Sequence, residues 1–386
     1  MKVGLISAHP FSEEGGVKTH ILNLKREFQK KNVKTKVLVP RAKIFEKYDK
    51  DTILLGTALR IEFGGGISDL IFSFLPLAIE RVLLREKFDV LHFHNFTLPA
   101  TLQILLSPLS FSSTTILTFH SNIERSAFLK KYPFFIDLLN DFCNLRIHGV
   151  ILVSKILRPF FQNYKGEIEV IPNGVSLEAF GPTVPPVKKF LDKKLNLLFV
   201  GRLEERKGPI YLLKAFRLLK KKYPQARLIF VGDGPQRSEC ESFVKKFNLK
   251  DVVFEGWVAQ EKVPSYYASC DIFCVPSIYG ESFGIILLEA LASQKPVVAF
   301  NIEAFLEVVK EGKGVLFAKN KNIFDLAKKI EFLILHKEKR KELGFEGRKW
   351  VQKYSWEKVA QKVLDFYQKI KNQREKKSLF IKNEKF

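Results

Sequence analysis

The apolar residues of this chain fall in short continuous runs rather than in alternation. In the first half the runs are Val3–Ser7, Lys36–Val39, Val90–His94, Thr115–Phe119, Val150–Ser154 and Ile168–Ile171. In the second half they are Leu195–Val200, Leu228–Val231, Val252–Glu255, Asp271–Val275, Val297–Phe300 and Val315–Phe317. Runs of this kind suit parallel strands covered on both faces, because neither side of such a sheet meets water. Helical patterns such as Gly16–Lys30 and Ile210–Lys222 lie between them. The expectation is α/β, a doubly wound parallel sheet built twice.

At 386 residues, two domains can each bury a core. A boundary is expected after Asn173-Gly174-Val175, and the Pro-rich segment Phe180–Pro186 reads as the linker. It gives domains 1–180 and 181–355. An amphipathic stretch, Trp356–Ile370, carries Val359, Val363, Phe366, Tyr367 and Ile370 on one stripe that needs a surface to cover, and a polar, frayed tail is expected over 371–386. The start, Met1–Ser7, reads as a strand rather than a signal peptide. The longest apolar region, Ile67–Leu84, is broken by Asp69, Pro76, Glu80 and Arg81 and is not a membrane span. Cys143, Cys240, Cys270 and Cys274 complete no zinc pattern and read as structural thiols of a reducing cytoplasm. The net charge of +23 divides at about +6 for residues 1–180 and about +17 beyond. A solvated basic surface and attraction to an anionic membrane face are both open readings. A nucleic-acid partner is disfavoured, since the basic C-terminal part lacks interleaved aromatics.

Two carboxylates stand out. Glu281 sits in the Gly-bounded loop Gly280–Gly284, and Glu289 follows inside the apolar run Ile285–Ala292. A helix apolar on all sides is buried, and a lone carboxylate in it is costly unless hydrogen-bonded. The backbone N–H groups around Phe283 and Gly284 precede that helix and favour an anion. A ligand with both hydroxyls and phosphates, such as a nucleotide sugar, fits. Arg202 and Lys207 stand just before a helix that Pro209 opens, where cations oppose the dipole unless an anion joins them. Their alternative is a surface loop paired with Glu204 and Glu205. Gly15-Gly16 lets a bound group approach the backbone but is also an ordinary turn. Gly232 and the Gly256-Trp257-Val258 corner are turns after strands, and Trp257 and Val258 could face a planar base. His92, His94 and His120 stand near strand ends. His94 and His120 are expected in the ligand cleft beyond the carboxyl ends, and His92 in the core. There is no GxGxxG fingerprint and no P-loop.

These residues together resemble the retaining GT-B glycosyltransferases of family 4 type. In the donor half the match is Gly201-Arg202 with Lys207-Gly208, Val231-Gly232-Asp233-Gly234-Pro235, and Glu281-Ser282-Phe283-Gly284 with Glu289. In the acceptor half it is Gly15-Gly16-Val17, Thr118-Phe119-His120, Val153-Ser154 and Ile171-Pro172-Asn173-Gly174-Val175. Among such enzymes the chain is most similar to phosphatidylinositol α-mannosyltransferases, through Thr118–Ser121, Gly280–Ile285 and Asn301–Phe305.

The resemblance implies two Rossmann-like domains facing a cleft, with the last helix packing back on the first. It implies that Arg202 and Lys207 hold the donor pyrophosphate, helped by backbone N–H groups at Phe283, Gly284 and Ile285, with Ser282 in the same loop. Glu289 would take the ribose hydroxyls and Glu281 the sugar hydroxyls. His120 would lie by the sugar and acceptor, and Gly16 against the phosphates. It implies neither a cofactor nor an obligatory metal, and no DxD pair suggests one. Transfer of a hexose, mannose from GDP-mannose, to a lipid or glycan hydroxyl at the cytoplasmic face is the expectation. A UDP-sugar transferase of capsule or lipopolysaccharide synthesis and a non-catalytic nucleotide-sugar binding protein are its alternatives. A two-domain dehydrogenase is disfavoured by the missing fingerprint.

Overall fold

The computed structural model describes all residues except 8, 12–14, 43–45, 47, 64–65, 73–75, 96–99, 123–130 and 384–386. Parts of the expected Pro10–Gly16 loop, of the Ile67–Leu84 region and of the tail therefore lie outside the described residues. The chain forms two compact units. One is Met1–Asn173 with Trp356–Phe386, the other Gly174–Ser355.

The strands of the first unit are β1 (Lys2–Ser7), β2 (Lys34–Arg41), β3 (Thr52–Phe63), β4 (Gly66–Phe72), β5 (Val90–His94), β6 (Thr114–Phe119), β7 (Gly149–Leu152) and β8 (Glu167–Val170). They line up as β4-β3-β2-β1-β5-β6-β7-β8. All pairings are parallel except β3 with β4, an antiparallel pair that the apolar runs do not announce. The strand order reverses direction between β1 and β5, the place where doubly wound sheets open a crevice at their carboxyl ends.

The C-terminal helix completes this unit. Trp356, Val359, Val363, Phe366, Tyr367 and Ile370 are buried with Leu5, Phe28, Val90, Ile116 and Ile151 in one core. Gly149 makes the close approach possible, since a Cβ there would lie 2.8 Å from the Phe366 ring. The helix runs on to Asn383 rather than fraying at Lys371. Residues 371–383 are mostly good helix formers, and extending an existing helix avoids the cost of nucleation. Arg374 also donates to Thr114 Oγ1 and to the Phe111 carbonyl, both at 3.0 Å.

The second unit holds β9 (Leu195–Val200), β10 (Ala226–Val231), β11 (Val252–Gly256), β12 (Ile272–Val275), β13 (Val297–Phe300) and β14 (Val315–Ala318), all parallel, in the order β11-β10-β9-β12-β13-β14. Its reversal lies between β9 and β12. The loops leaving those two strands carry Arg202–Gly208 and Pro276–Gly284. The chain passes from the first unit to the second between Asn173 and Gly174, so the Pro-rich segment lies within the second unit. Phe180 packs edge-on against Tyr267, and Arg348 donates to the carbonyls of Leu177 and Phe180 at 3.0 Å and of Ala292 at 2.6 Å. All four cysteines are buried and free, and burial pushes their thiols well above the ordinary value.

Candidate functional site

In the second unit the loops after β9 and β12 are backbone against backbone. Gly208 adopts φ 67° before the Pro209–Lys220 helix, and a Cβ there would stand 2.1 Å from the Pro276 carbonyl oxygen. Ile278 N–H donates to the Arg206 carbonyl at 2.8 Å. This contact carries Lys207 onto Glu281, with Nζ 2.5 Å from Oε1, and Ser277 Oγ donates to the same oxygen at 2.8 Å. Lys207 and Glu281 are both mostly buried, at 14% and 8% side-chain exposure. Burial opposes the Glu281 charge, yet Lys207, with help from Arg206 and Ser277, outweighs it and holds the carboxyl below its ordinary value. The Glu281 carboxylate is therefore held in place by Lys207 and Ser277.

Glu289 is in a different state. It lies on the Ile285–Ala292 helix, buried, and its contact is the Tyr267 hydroxyl, donating to Oε2 at 2.8 Å. Burial raises its carboxyl to about 7, only partly offset by that hydrogen bond. A buried acceptor with one donor can take more. Gly284 caps the helix at φ 87°, and a Cβ at this position would lie 2.5 Å from Phe305 Cε1. The first N–H groups of a helix have no acceptor within it, so this end favours an anion. Phe283 is buried edge-on to Tyr354 at 6.0 Å, so only its backbone is offered. Ser282 and Ile285 are half-buried beside it.

Other expected site residues are held differently. Arg202 is 59% exposed and 3.9 Å from Glu204, outside the Lys207–Glu281 pair. Glu204 also holds Arg206 at 2.6 Å, so the alternative of a self-paired loop describes Arg202, while Lys207 pairs with Glu281 instead. Gly232 has a packing reason to be glycine, since a Cβ would meet the Gly201 carbonyl oxygen at 2.1 Å. Trp257 is 67% exposed just past β11, with Val258 half-buried next to it.

In the first unit four histidines form one cluster. His92 is satisfied on both nitrogens, by Thr118 Oγ1 at 2.6 Å and Tyr367 OH at 2.5 Å, as a core histidine should be. His94 is also fully buried, which corrects the expectation of a cleft residue. His20 and His120 cover it, and its Nδ1 lies 3.2 Å from His120 Nε2. His120 directly follows β6 and is half-buried, its N–H held by Asn95 Oδ1 at 2.7 Å. His20, which sequence reasoning passed over, is buried and bonds Asn173 Oδ1 through Nδ1 at 2.8 Å. Burial lowers all of them, His20 to about 4, and the neighbouring rings lower His94 and His120 further. The rings are neutral near pH 7 and act as hydrogen-bonding groups, not cations. Gly15 and Gly16 are exposed at the start of the Gly16–Lys30 helix, and none of the described residues fills the space a Cβ would take at either.

Residues 14–179 match the family model "Glycosyltransferase Family 4", and residues 183–350 match "Glycosyl transferases group 1". The chain belongs to the GT-B glycosyltransferases of family 4 type. A phosphatidyl-myo-inositol mannosyltransferase of Mycobacterium leprae is 28% identical over 96% of this chain and 97% of its own. Among solved structures, a sucrose-phosphate synthase from Thermosynechococcus elongatus superposes with a TM-score of 0.76 at 20% identity, covering 96% of this chain and 99% of its own. Anabaena HepE, solved with UDP and glucose, gives 0.72 at 18%, covering 95% and 99%. The glycosyltransferase is thus a hexosyltransferase with two Rossmann-like sheets. Among its described residues no helix is long and apolar enough to cross a membrane.

Proposed function

We propose that the enzyme moves a hexose, mannose from GDP-mannose, to a hydroxyl of a lipid or glycan, with retention at the anomeric carbon. The observation that carries the donor reading is the pairing of a fixed Lys207–Glu281 contact with a half-satisfied Glu289 at the two ends of one loop-helix element. Lys207 and Arg202 stabilise the departing diphosphate, assisted by the helix end at Gly284. Glu289 accepts from the ribose hydroxyls and Glu281 from hydroxyls of the transferred sugar. The bond from the anomeric carbon to the diphosphate oxygen breaks, and a bond to the acceptor oxygen forms on the same face. The acceptor proton passes to the leaving phosphate oxygen. His120, neutral, orients sugar and acceptor hydroxyls through Nδ1, its Nε2 being engaged with His94 Nδ1. No metal is assigned to the diphosphate.

The choice of mannose and of a lipid acceptor leans on the mycobacterial relative's name. The UDP complex of Anabaena HepE supports the second reading, a UDP-sugar donor. A thermal-shift panel with UDP, GDP and ADP, with and without Mg²⁺, separates them on wild type and Glu289→Ala. A GDP-selective shift lost in the variant supports mannose transfer, and a UDP-selective one supports the second reading. No shift with any nucleotide overturns both and leaves a protein without a donor site.

A membrane-facing role for the first unit is part of this reading. Lys155, Arg158, Lys165 and Lys376 line a groove of about 1180 Å³ with Glu167 as the carboxylate among them. Association with anionic vesicles should fall with salt. Equal binding to neutral vesicles would refute it.

A further inference from the structure

Outside the donor half, the histidine cluster contains buried nitrogens that the proposed transfer does not use. His20 Nε2 is buried without a hydrogen-bond partner, as is His94 Nε2, the nitrogen of that ring not engaged with His120. His20 comes from the Gly16–Lys30 helix, His94 from the end of β5 and His120 from directly after β6. One ring nitrogen from each lies within 4.8 Å of those of the other two. We propose that His20, His94 and His120 form a three-nitrogen site for a divalent transition ion of the zinc class, open on the fourth side at His120.

Several observations converge on that assignment. Tetrahedral zinc with Zn–N bonds of about 2.0–2.1 Å sets its ligand nitrogens roughly 3.3 Å apart. His94 Nδ1 and His120 Nε2 already stand at 3.2 Å. His20 has its other nitrogen committed to Asn173 Oδ1 at 2.8 Å, which puts the proton on Nδ1 and leaves the unpartnered Nε2 with its lone pair. An orienting acceptor behind a ligating histidine is the usual support of a metal site. The centroids of His20 and His120 are 4.7 Å apart, and those of His20 and His94 5.2 Å, so small ring rotations bring the third nitrogen into range. The group contains no carboxylate, which selects an imidazole-preferring ion over magnesium or calcium. His92 is excluded, because Thr118 and Tyr367 hold both its nitrogens. His120 is the half-exposed member, so an ion enters and the open position faces out there. Three protein ligands with one open place is also the pattern of an exchangeable site rather than a closed structural one.

The test uses the full chain and zinc alone. Calorimetric titration in a non-chelating buffer should give one equivalent bound by wild type. His20→Gln should weaken this at least roughly tenfold, while exposed His336→Gln leaves it unchanged. Cobalt should give the intense visible bands of a four-coordinate nitrogen site. Absent stoichiometric binding, equal binding by His20→Gln and wild type, or a weak octahedral or thiolate-type cobalt spectrum would each overturn the site. The cobalt spectrum of wild type decides the matter even if His20→Gln does not fold.

Discussion

Glu289→Gln separates the cost of a buried carboxylate from its use. The Glu289 carboxyl stands at about 7 in the folded protein against 4.5 for the ordinary group. At about 1.36 kcal/mol per unit, ionised Glu289 costs about 3 kcal/mol of stability. Below pH about 4.5 both folded and unfolded forms carry the proton and nothing is lost. Between about 4.5 and 7 the unfolded chain ionises first, so stability falls as pH rises, and the loss is complete above about 7. Glutamine does not titrate and still accepts from Tyr267 OH. The variant should match wild type at pH about 4.5 and exceed it by about 3 kcal/mol at pH about 8. For a unit of this size that is roughly 6–12 °C in Tm. Thermal and urea unfolding of both proteins across this range provides the measurement. A difference that does not vary with pH, or a variant less stable at pH 8, would refute the reasoning, since Glu289 would then be ionised and favourably paired. The same variant should bind nucleotide about 10-fold or more weakly, because hydrogen bonds to a charged acceptor are worth about 1.5–3 kcal/mol.

Nucleotide binding at pH 7 should release about half a proton if ribose hydroxyls ionise Glu289, read as a buffer-dependent enthalpy in calorimetry; identical enthalpies in two buffers would refute this. Lys207→Met leaves Glu281 charged and buried, and should cost about 3 kcal/mol in urea unfolding at pH 7, largely recovered in the double variant with Glu281→Gln. Gly208→Ala forces a Cβ into the Pro276 carbonyl at φ 67°, and should lower stability by more than about 1 kcal/mol together with donor affinity. Tyr367→Phe strands buried His92 Nδ1, and should cost about 1–3 kcal/mol with no change in nucleotide shift.

The parallel strands were legible because burial on both faces leaves an apolar run, and observed bounds differ from the expected ones by a residue or two. The β3–β4 pair was not. Leu59–Phe63 alternates apolar and polar residues, the mark of an antiparallel strand, but reading only continuous apolar runs passes over it. Glu289 advertised itself as a carboxylate in an apolar helix, but its partner, Tyr267, comes from another helix and could not be named from spacing. The Lys207–Glu281 contact depends on two loops meeting across the β9–β12 reversal, which the motif suggested and spacing alone did not. His94 was misplaced because strand-end logic ignores what packs over the end. His20, inside a helix, carried no such signal at all.

The C-terminal helix gives the protein an order of assembly. The core of the first unit includes Trp356, Val359, Val363, Phe366, Tyr367 and Ile370, while the second unit is the uninterrupted segment Gly174–Ser355. During synthesis the first sheet must wait, its apolar face bare, while the whole second unit is made. At about 5–20 residues per second that wait is roughly ten to forty seconds. The second unit, complete in itself, can fold on the ribosome first. The amino-terminal half is then the last to close, which makes nascent chains most vulnerable to chaperone capture or aggregation through the sheet that the final helix covers.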